Sequence, residues 1–306
     1  MKKAAIITGY TCNNNCVFCY DHEKRQNNIP DLKTLDIKRM LKTAKSGGCT
    51  YVDFLGGEFT IRKDAQELIS FAKILGFKTI AVTTNGRAFA YKKYLQTLKD
   101  AGLNSIIFSL HGHNAALHDR LTQAKGSFKQ LITAIKNAKE LGINIAANTT
   151  IIKQNLSNLP KIGELLFELG LKNCEFIFID PTTGRGNTDF EKIVPGIKQS
   201  AEPIRKLLEI GKKNNIAHWH IRYYPMCYLE GYEDYVSEIH DKKAFENEAH
   251  FAPEFINTNV QDSRKIVGRV KAKQCKDCRY NDVCEGVWKK YAEKRGTSEL
   301  LPVKTA

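Results

Sequence analysis

Seven of the nine cysteines in this 306-residue chain fall into two groups whose spacing suits a metal centre. The first group follows the pattern C-x3-C-x2-C at Cys12, Cys16 and Cys19, with the aromatic Phe18 directly before the last cysteine. Thiolates bind iron–sulfur clusters, and three of them leave one iron of a four-iron cluster without a protein ligand. Catalytic metal sites keep such an open position. A zinc site completed by a distant fourth ligand is the alternative.

A second motif, G-G-E at Gly56, Gly57 and Glu58, directly follows a predicted strand. Together the two motifs resemble the radical S-adenosylmethionine superfamily. In that family the open iron binds the amino and carboxylate groups of S-adenosylmethionine, so the resemblance implies a 4Fe-4S cluster and this cosubstrate. A G-G-E turn that opens a helix is the blander interpretation. The cofactor contacts that the resemblance implies are Phe18, Gly56, Gly57, Glu58, Ser109 and Asn148.

The second cysteine group has the spacing C-x2-C-x5-C at Cys275, Cys278 and Cys284, and Cys227 is available as a fourth ligand. Four thiolates would complete a closed cluster, with a zinc site of the same residues as the alternative. This group resembles the SPASM and twitch extensions of radical enzymes, which carry auxiliary 4Fe-4S clusters. A full SPASM region has a further cysteine where this chain has Trp288. The resemblance therefore implies one probable auxiliary 4Fe-4S cluster.

Alternating short β-branched and longer amphipathic segments predict the elements that position these motifs. Strands are predicted at residues 4–8, 51–55, 79–83, 105–109, 144–148 and 175–179. Helices are predicted at residues 35–44, 65–75, 91–101, 128–141 and 159–169. This order favours an α/β fold, a partial (β/α)6 TIM-type barrel built from parallel strands. A further helix (197–213) and strand (217–223) follow. We expect a radical S-adenosylmethionine core at 1–194 and a small cysteine-containing module at 195–306.

Polar segments follow each predicted strand, at the end where βα barrels hold their active sites. The segments are T-T-N-G-R at 83–87, S-L-H-G-H at 109–113, A-N-T-T at 147–150 and D-P-T-T-G-R-G at 180–186. His111, His113 and His118 can be read as a zinc site, but orienting a loop is the preferred interpretation. Arg185 is either an anion contact or a surface arginine. Cys49 and Cys174 are expected in the core.

The composition favours a soluble globular protein, with 42% hydrophobic residues and no apolar segment long enough for a signal peptide. We therefore expect a cytoplasmic protein with no membrane partner. The formal net charge of +14 would attract anionic partners, but the lysines are spread along the predicted helices. Since no aromatic-basic RNA motif is present, nucleic acid is an unlikely partner.

The resemblance implies an enzyme that cleaves S-adenosylmethionine reductively to a 5'-deoxyadenosyl radical, which abstracts hydrogen from a substrate. The electron would come from a flavodoxin- or ferredoxin-type reductant. A small molecule or cofactor precursor is the favoured substrate, because no winged N-terminal extension for leader peptides is seen. Maturation of a peptide or protein side chain is the alternative. A basic RNA-binding or tRNA-modifying protein with metal sites is a third interpretation.

Overall fold

One mostly parallel sheet carries the fold in the computed structural model, which describes residues 1–244 and 247–304. Its strands are β1 (Lys2–Ile7), β2 (Tyr51–Leu55), β3 (Thr79–Thr84), β4 (Ser105–Ser109), β5 (Asn144–Ile151), β6 (Asn173–Phe178), β7 (His218–Arg222), β8 (Asn247–Phe251) and β9 (Ile256–Asn257). The order across the sheet is β7-β6-β5-β4-β3-β2-β1-β8-β9, and β9 alone pairs in antiparallel fashion. The consecutive order of β1 to β6 confirms the predicted α/β fold with a partial (β/α)6 barrel.

Helices connect most of the strands. They are α1 (His22–Gln26), α2 (Thr34–Ser46), α3 (Ala65–Ile74), α4 (Lys92–Ala101), α5 (Ala115–Thr122), α6 (Ser127–Glu140), α7 (Leu159–Glu168), α8 (Gly184–Thr188), α9 (Phe190–Ile193), α10 (Ile197–Lys213), α11 (Ser237–Ala244), α12 (Val260–Ser263) and α13 (Lys289–Arg295). Residues of α1, α12 and α13 also line the cavity described below. Among the described residues, none of the helices combines the length and apolar character needed to cross a bilayer.

Side-chain alternation along the strands separates the core from the inner face of the barrel. On β2, Val52 and Phe54 are fully buried in the hydrophobic core, whereas Leu55 lines an internal cavity. On β4, Phe108 is buried in the same core and Ser109 lines the cavity. Because successive side chains of a strand point to opposite faces, each strand contributes to both environments. The cavity is therefore lined by every second residue near the strand ends.

Two predicted strand boundaries differ from the structure in a way that affects the site. The strand predicted at 144–148 continues to Ile151, so the A-N-T-T segment lies within β5 rather than after it. The strand predicted at 175–179, the last of the six barrel strands, is β6 and runs from Asn173 to Phe178. Asn148 consequently has the fixed backbone of a strand pairing with both neighbours, which positions its side chain more firmly than a loop would.

The sheet extends beyond the six predicted βα units. β7 pairs with β6, and β8 pairs in parallel with the other edge, next to β1. The salt bridge between Lys3 and Glu248, at 2.9 Å, joins β1 to β8. Sequence reasoning found no regular element between residues 230 and 269, because a five-residue strand that completes an existing edge needs little periodicity of its own. The division at residue 194 remains a prediction, and the sheet runs across it.

The C-terminal segment forms a small antiparallel pair, β10 (Arg269–Val270) and β11 (Val287–Trp288), followed directly by α13. Gly286 has a φ of +77°, and a Cβ there would lie 2.2 Å from the carbonyl oxygen of Val270. Tyr291 on α13 is buried, and its hydroxyl accepts a 3.0 Å hydrogen bond from the backbone N–H of Ile197. These contacts fix the segment that carries the second cysteine group against α10.

Candidate active site

A cavity of about 960 Å³ opens at the carboxyl ends of the parallel strands. Active sites of βα barrels occupy this end of the sheet. Residues from all six strands β1 to β6 and from the C-terminal segment line this cavity. It is lined by all of the residues predicted for the N-terminal cofactor site, namely Cys12, Cys16, Phe18, Cys19, Gly56, Gly57, Glu58, Ser109 and Asn148.

The loop that carries the first three cysteines is held at its start and in its middle by hydrogen bonds. A carboxylate oxygen of Asp31 accepts from the backbone N–H groups of Tyr10, at 2.6 Å, and Thr11, at 3.1 Å. Farther along, the N–H of Asn15 donates to the carbonyl of Thr122 at the end of α5, at 3.0 Å. The loop is therefore ordered by protein contacts before any metal is considered.

Two arginines that sequence reasoning did not assign to the site bind the backbone of the cysteine loop. Arg25 donates to the carbonyl oxygen of Asn14 at 2.8 Å. Arg87 donates to the carbonyl oxygen of Asn13 and, at 3.0 Å, to the side chain of Asn14. Burial raises the pKa of Cys12 to about 11, and the charge of Arg25 opposes that rise. No spacing rule connects Arg25 or Arg87 to the cysteines, because their proximity arises only from the fold.

The D-P-T-T-G-R-G segment packs against the same loop from the β6 side. The backbone N–H of Arg185 donates to the carbonyl oxygen of Cys19 at 3.0 Å. Gly184 has a φ of +58°, and a Cβ there would lie 2.2 Å from the carbonyl oxygen of Tyr20. The guanidinium of Arg185 lowers the pKa of Cys19 against the larger effect of burial, which raises it. Arg185 therefore lies beside the cysteine loop, and its guanidinium also pairs with Asp189 at 3.6 Å.

Glycines allow β2 to approach the cysteine loop backbone to backbone. The N–H of Gly57 donates to the carbonyl of Gly9, and the N–H of Glu58 donates to the carbonyl of Thr11, each at 2.8 Å. A Cβ on Gly57 would lie 2.2 Å from the oxygen of Thr11, and one on Gly56 would lie 2.3 Å from that of Gly9. Close packing between the end of β2 and the loop after β1 therefore requires glycine at both positions.

Glu58 is buried, and four donor groups surround its carboxylate. The backbone N–H of Thr60 and the hydroxyls of Thr60 and Thr84 donate to one oxygen, and the N–H of Asn85 donates to the other at 2.7 Å. Burial raises its pKa, and these hydrogen bonds oppose the rise. The side chain of Asn85 lies 3.9 Å from the sulfur of Cys12. Glu58 therefore positions Asn85, and its direct contact with a cofactor remains a prediction.

Ser109 and Asn148 are register partners on neighbouring strands β4 and β5. Both side chains line the cavity. Within residues 1–244 and 247–304, neither side chain is hydrogen-bonded to another residue. Their polar groups are therefore available to a ligand in the cavity.

His111 and His118 order the loop after β4 through their ring nitrogens. The Nδ1 atom of His111 accepts from the backbone N–H of Thr150 at 3.1 Å, and that of His118 accepts from the N–H of His111 at 3.3 Å. The ring of Phe18 packs edge-on against His111, with centroids 4.6 Å apart. His113 lies apart, beside Asn114. This arrangement agrees with the loop-orienting interpretation of the histidines.

Acidification is expected to destabilise the fold through these two histidines. Burial lowers the pKa of His111 to about 3 and that of His118 to about 4, whereas both are near 6.5 in an unfolded chain. The unfolded state therefore binds more protons below pH 6.5, and stability present above pH 6.5 is lost as pH falls. At pH 5 the loss amounts to about 2 kcal/mol for each histidine.

The measurement is the free energy of unfolding in urea at pH 7.5 and pH 5.0. His111→Asn/His118→Asn should flatten this pH dependence. A wild-type stability that is equal at the two pH values would contradict the prediction.

The four thiols of the second cysteine group lie near one another, and their role as cluster ligands remains a prediction. Burial raises the pKa of Cys227 to about 11, and the thiols of Cys284, Cys275 and Cys278 contribute to that rise because they lie close by. Backbone N–H groups donate to two of the sulfurs, from Gly286 to Cys284 at 3.3 Å and from Val303 to Cys278 at 3.4 Å. N–H donors directed at sulfur are one of the means by which proteins tune iron–sulfur clusters.

Both thiol groups have the donor chemistry that iron–sulfur clusters require. In the part of the chain that the structure describes, no three His, Cys, Asp or Glu side chains come together closely enough to hold one metal ion. Tetrahedral zinc with bonds of about 2.3 Å would require sulfurs roughly 3.8 Å apart. A cubane binds each thiolate to a different iron, so its sulfur ligands do not need to lie as close together as those around one zinc ion. Three thiols beside a cavity, and four that converge elsewhere, fit 4Fe-4S clusters of the open and closed kinds.

Comparison with known proteins decides the family. The sequence profile of the Radical SAM superfamily matches residues 6–166, which include the first cysteine group and the strands from β2 to β5. The chain belongs to the radical SAM superfamily. Membership implies an iron–sulfur enzyme that uses a 4Fe-4S cluster and S-adenosylmethionine.

Curated relatives of this radical SAM enzyme carry out different reactions. It is 29% identical over 214 residues to the Fe-coproporphyrin III synthase of Methanosarcina barkeri. The aligned region covers 69% of this chain but only 52% of that protein. It is 32% identical over 225 residues to a probable GTP 3',8-cyclase of Saccharolobus islandicus, covering 73% of this chain and 70% of that protein. The family is therefore shared, while the substrate differs among its relatives.

Solved structures extend the likeness of this radical SAM enzyme over nearly the whole chain. Streptococcus suis SuiB bound to its precursor peptide SuiA matches with a TM-score of 0.67 and 16% identity, covering 98% of this chain and 74% of SuiB. The enzyme anSMEcpe, with bound AdoMet and a Kp18Cys peptide, matches with a TM-score of 0.68 and 14% identity, covering 99% and 92%. At these identities the likeness shows the fold alone.

Proposed function

We propose that this radical SAM enzyme binds S-adenosylmethionine beside a 4Fe-4S cluster on Cys12, Cys16 and Cys19 and abstracts hydrogen from a small molecule or cofactor precursor. The single observation that carries the proposal is that these cysteines, the G-G-E segment, Ser109 and Asn148 line one cavity. When bound, the cluster supplies the electron that splits S-adenosylmethionine into methionine and a 5'-deoxyadenosyl radical. The residues of this chain bind and orient the reactants.

Each wall of the cavity contributes differently to that task. The close approach of β2 to the cysteine loop, through Gly57, places backbone groups beside the cysteines. Ser109 and Asn148 offer side-chain hydrogen bonds, which we assign to the ribose or carboxylate of the cosubstrate. Ile177 and Ile179 give the β6 wall an apolar surface that excludes water from a reactive radical.

The size and the relatives favour a small-molecule substrate. At about 960 Å³ the cavity is at the upper end of the range for small-molecule sites, roughly 300–1,000 Å³, which leaves room beside the cosubstrate. The relatives that match at 29% and 32% identity are named for a porphyrin and for GTP, whereas the peptide-bound structures match at 16% identity or less. Substrate chemistry is more often shared at the higher identity.

Maturation of a peptide side chain is the second candidate, and the cavity mouth favours it. Phe255 and Val267 line the cavity and are 46% and 66% exposed. Exposed apolar side chains at the rim of a site are typical of surfaces that bind proteins or peptides. A peptide substrate would place its flanking residues on this rim while one side chain enters the cavity.

We assign Cys227, Cys275, Cys278 and Cys284 to an auxiliary 4Fe-4S cluster in a SPASM- or twitch-like module that begins near residue 195. Four thiols supply a ligand for every iron, so this cluster would be closed and would serve electron transfer or substrate binding. A flavodoxin- or ferredoxin-type reductant in the cytoplasm would provide the electrons. The convergence of the four thiols and the N–H donors to two of them support this assignment.

Iron counting tests the proposed cofactor site. The protein is prepared and reconstituted anaerobically, iron and acid-labile sulfide are measured, and 5'-deoxyadenosine is quantified after reduction with dithionite. We expect about eight irons in the wild type and about four in Cys12→Ala/Cys16→Ala/Cys19→Ala, with loss of 5'-deoxyadenosine formation only in the variant. Stoichiometric zinc without iron in both proteins would overturn the proposal.

A further inference from the structure

Arg25, in the last turn of α1, is a cation whose partners are carbonyl oxygens of the cysteine loop. Its Nη1 donates to the carbonyl oxygen of Asn14 at 2.8 Å, and its Nη2 donates to that of Cys12 at 3.4 Å. The residue is half-buried and lines the cavity. These contacts hold a guanidinium group against the loop that carries the first three thiols.

The other cations beside this loop are paired with carboxylates, whereas Arg25 is not. Lys24 pairs with Asp21 at 3.3 Å, and Arg185 pairs with Asp189 at 3.6 Å. Arg25 has no ion-pair partner among residues 1–244 and 247–304. Removing a charge from water without a counter-ion is costly, so this guanidinium group marks a place where negative charge is expected.

The three thiols of the loop supply that negative charge when they hold a cluster, because they bind iron as thiolates. Burial raises the pKa of all three cysteines, and the charge of Arg25 opposes that rise at each of them. The carboxylate of Glu58 acts on Cys12 in the opposite sense, and its own hydrogen-bond donors are neutral. Net charge is one of the factors that set the reduction potential of an iron–sulfur cluster.

From this arrangement we infer that Arg25 raises the reduction potential of the cluster on Cys12, Cys16 and Cys19 and so makes its reduction easier. Reduction adds one negative charge to a site that already contains three thiolates, and a nearby positive charge favours the more negative state. Arg25 acts on the cluster through its charge and its hold on the loop, which makes it a positioning residue. The inference rests on the proposed function, in which these cysteines hold the cluster.

The reduction midpoint of this cluster tests the inference without knowledge of the substrate. The whole reconstituted chain is titrated with dithionite in the presence of redox mediators and without S-adenosylmethionine, and the reduced cluster is followed by electron paramagnetic resonance. The signal of the N-terminal cluster is the one missing from Cys12→Ala/Cys16→Ala/Cys19→Ala. For Arg25→Gln we expect half-reduction to need at least about a tenfold higher ratio of reduced to oxidised mediator, which is a shift of about 59 mV to more negative potential for a one-electron couple.

Two further variants separate the charge from the hydrogen bonds. Arg25→Lys keeps the positive charge but lacks the planar fork of donors that reaches two carbonyls, and its potential should stay closer to the wild type than to Arg25→Gln. Arg87→Gln changes an arginine that also binds the cysteine loop but does not line the cavity, and it should shift the potential less. If Arg25→Gln takes up no iron, Arg25→Lys decides, because a role for the charge predicts normal iron content and a potential near the wild type.

An unchanged potential in Arg25→Gln would overturn the inference, and so would an equal shift or an equal loss of iron in Arg25→Lys or Arg87→Gln. The affinity for S-adenosylmethionine and the 5'-deoxyadenosine formed under dithionite are measured in the same samples. Lower affinity with an unchanged potential would assign Arg25 to the carboxylate of the cosubstrate instead. If the wild type takes up no cluster on the three cysteines, the proposed function fails. If its cluster cleaves S-adenosylmethionine and the variants show no shift, this inference alone fails.

Discussion

Gly57→Ala is expected to lower reductive cleavage of S-adenosylmethionine at least a hundredfold. A Cβ at this position would lie 2.2 Å from the carbonyl oxygen of Thr11 and 2.6 Å from the carbonyl carbon of Tyr10. Both contacts are with backbone, so rotation of a side chain cannot relieve them, and the cysteine loop must move. A displacement of about 1 Å at a catalytic site can cost a hundredfold in rate. The measurement is 5'-deoxyadenosine formed per cluster under dithionite.

Gly47→Ala provides the matched control for this substitution. Gly47 ends α2 with a φ of −72°, and its Cβ would meet the nearest backbone oxygen at 3.4 Å, close to an ordinary contact. The control should retain both iron content and cleavage rate. If Gly57→Ala cleaves S-adenosylmethionine at the wild-type rate, the close packing of β2 against the cysteine loop is not needed for cleavage. The structural reason for the G-G motif would then be wrong.

Cys275→Ala/Cys278→Ala/Cys284→Ala is expected to lose about four irons while keeping the N-terminal cluster. The two cysteine groups lie on different parts of the fold, one on the loop after β1 and the other between β10 and β11. S-adenosylmethionine should therefore still bind the variant and still be cleaved by dithionite. Iron, labile sulfide and the affinity for S-adenosylmethionine are measured together.

Cys49→Ala/Cys174→Ala is the control for the loss of cysteine as such. Both residues are buried in the core, as the sequence predicted, and neither lines the cavity. This variant should retain about eight irons. Unchanged iron in the C-terminal triple variant would show that these thiols hold no cluster, and the auxiliary assignment would be withdrawn while the N-terminal site stood.

The framework was predictable because its elements are regular. Strands of β-branched residues that alternate with amphipathic helices left few topologies open, and β2 and β4 have the predicted bounds. The first cysteine group and the G-G-E segment both line the cavity, because loops at the same end of a parallel sheet lie close together. Short spacing between residues is a strong constraint on what they can bind together.

Other parts of the site depend on contacts between distant segments, and no local pattern encodes them. Arg25 and Asp31 hold the cysteine loop from a short helix and a turn without periodicity. Glu58 was predicted as a cofactor contact, whereas the structure surrounds its carboxylate with threonine and asparagine donors, and that partnership depends on the relative position of β2 and β3. Nothing in the sequence near Lys289 shows that this residue lines the cavity.

The pairing of β8 with β1 has a consequence for how the protein is made. The strand that precedes the cysteine loop obtains its outer neighbour, β8, from a segment synthesised much later, and both β7 and β8 follow α10 in the chain. Contacts between such distant segments are slow to form. An incomplete chain on the ribosome would expose a bare sheet edge next to three reactive thiols. Cluster insertion is therefore expected to follow completion of the sheet rather than to nucleate it.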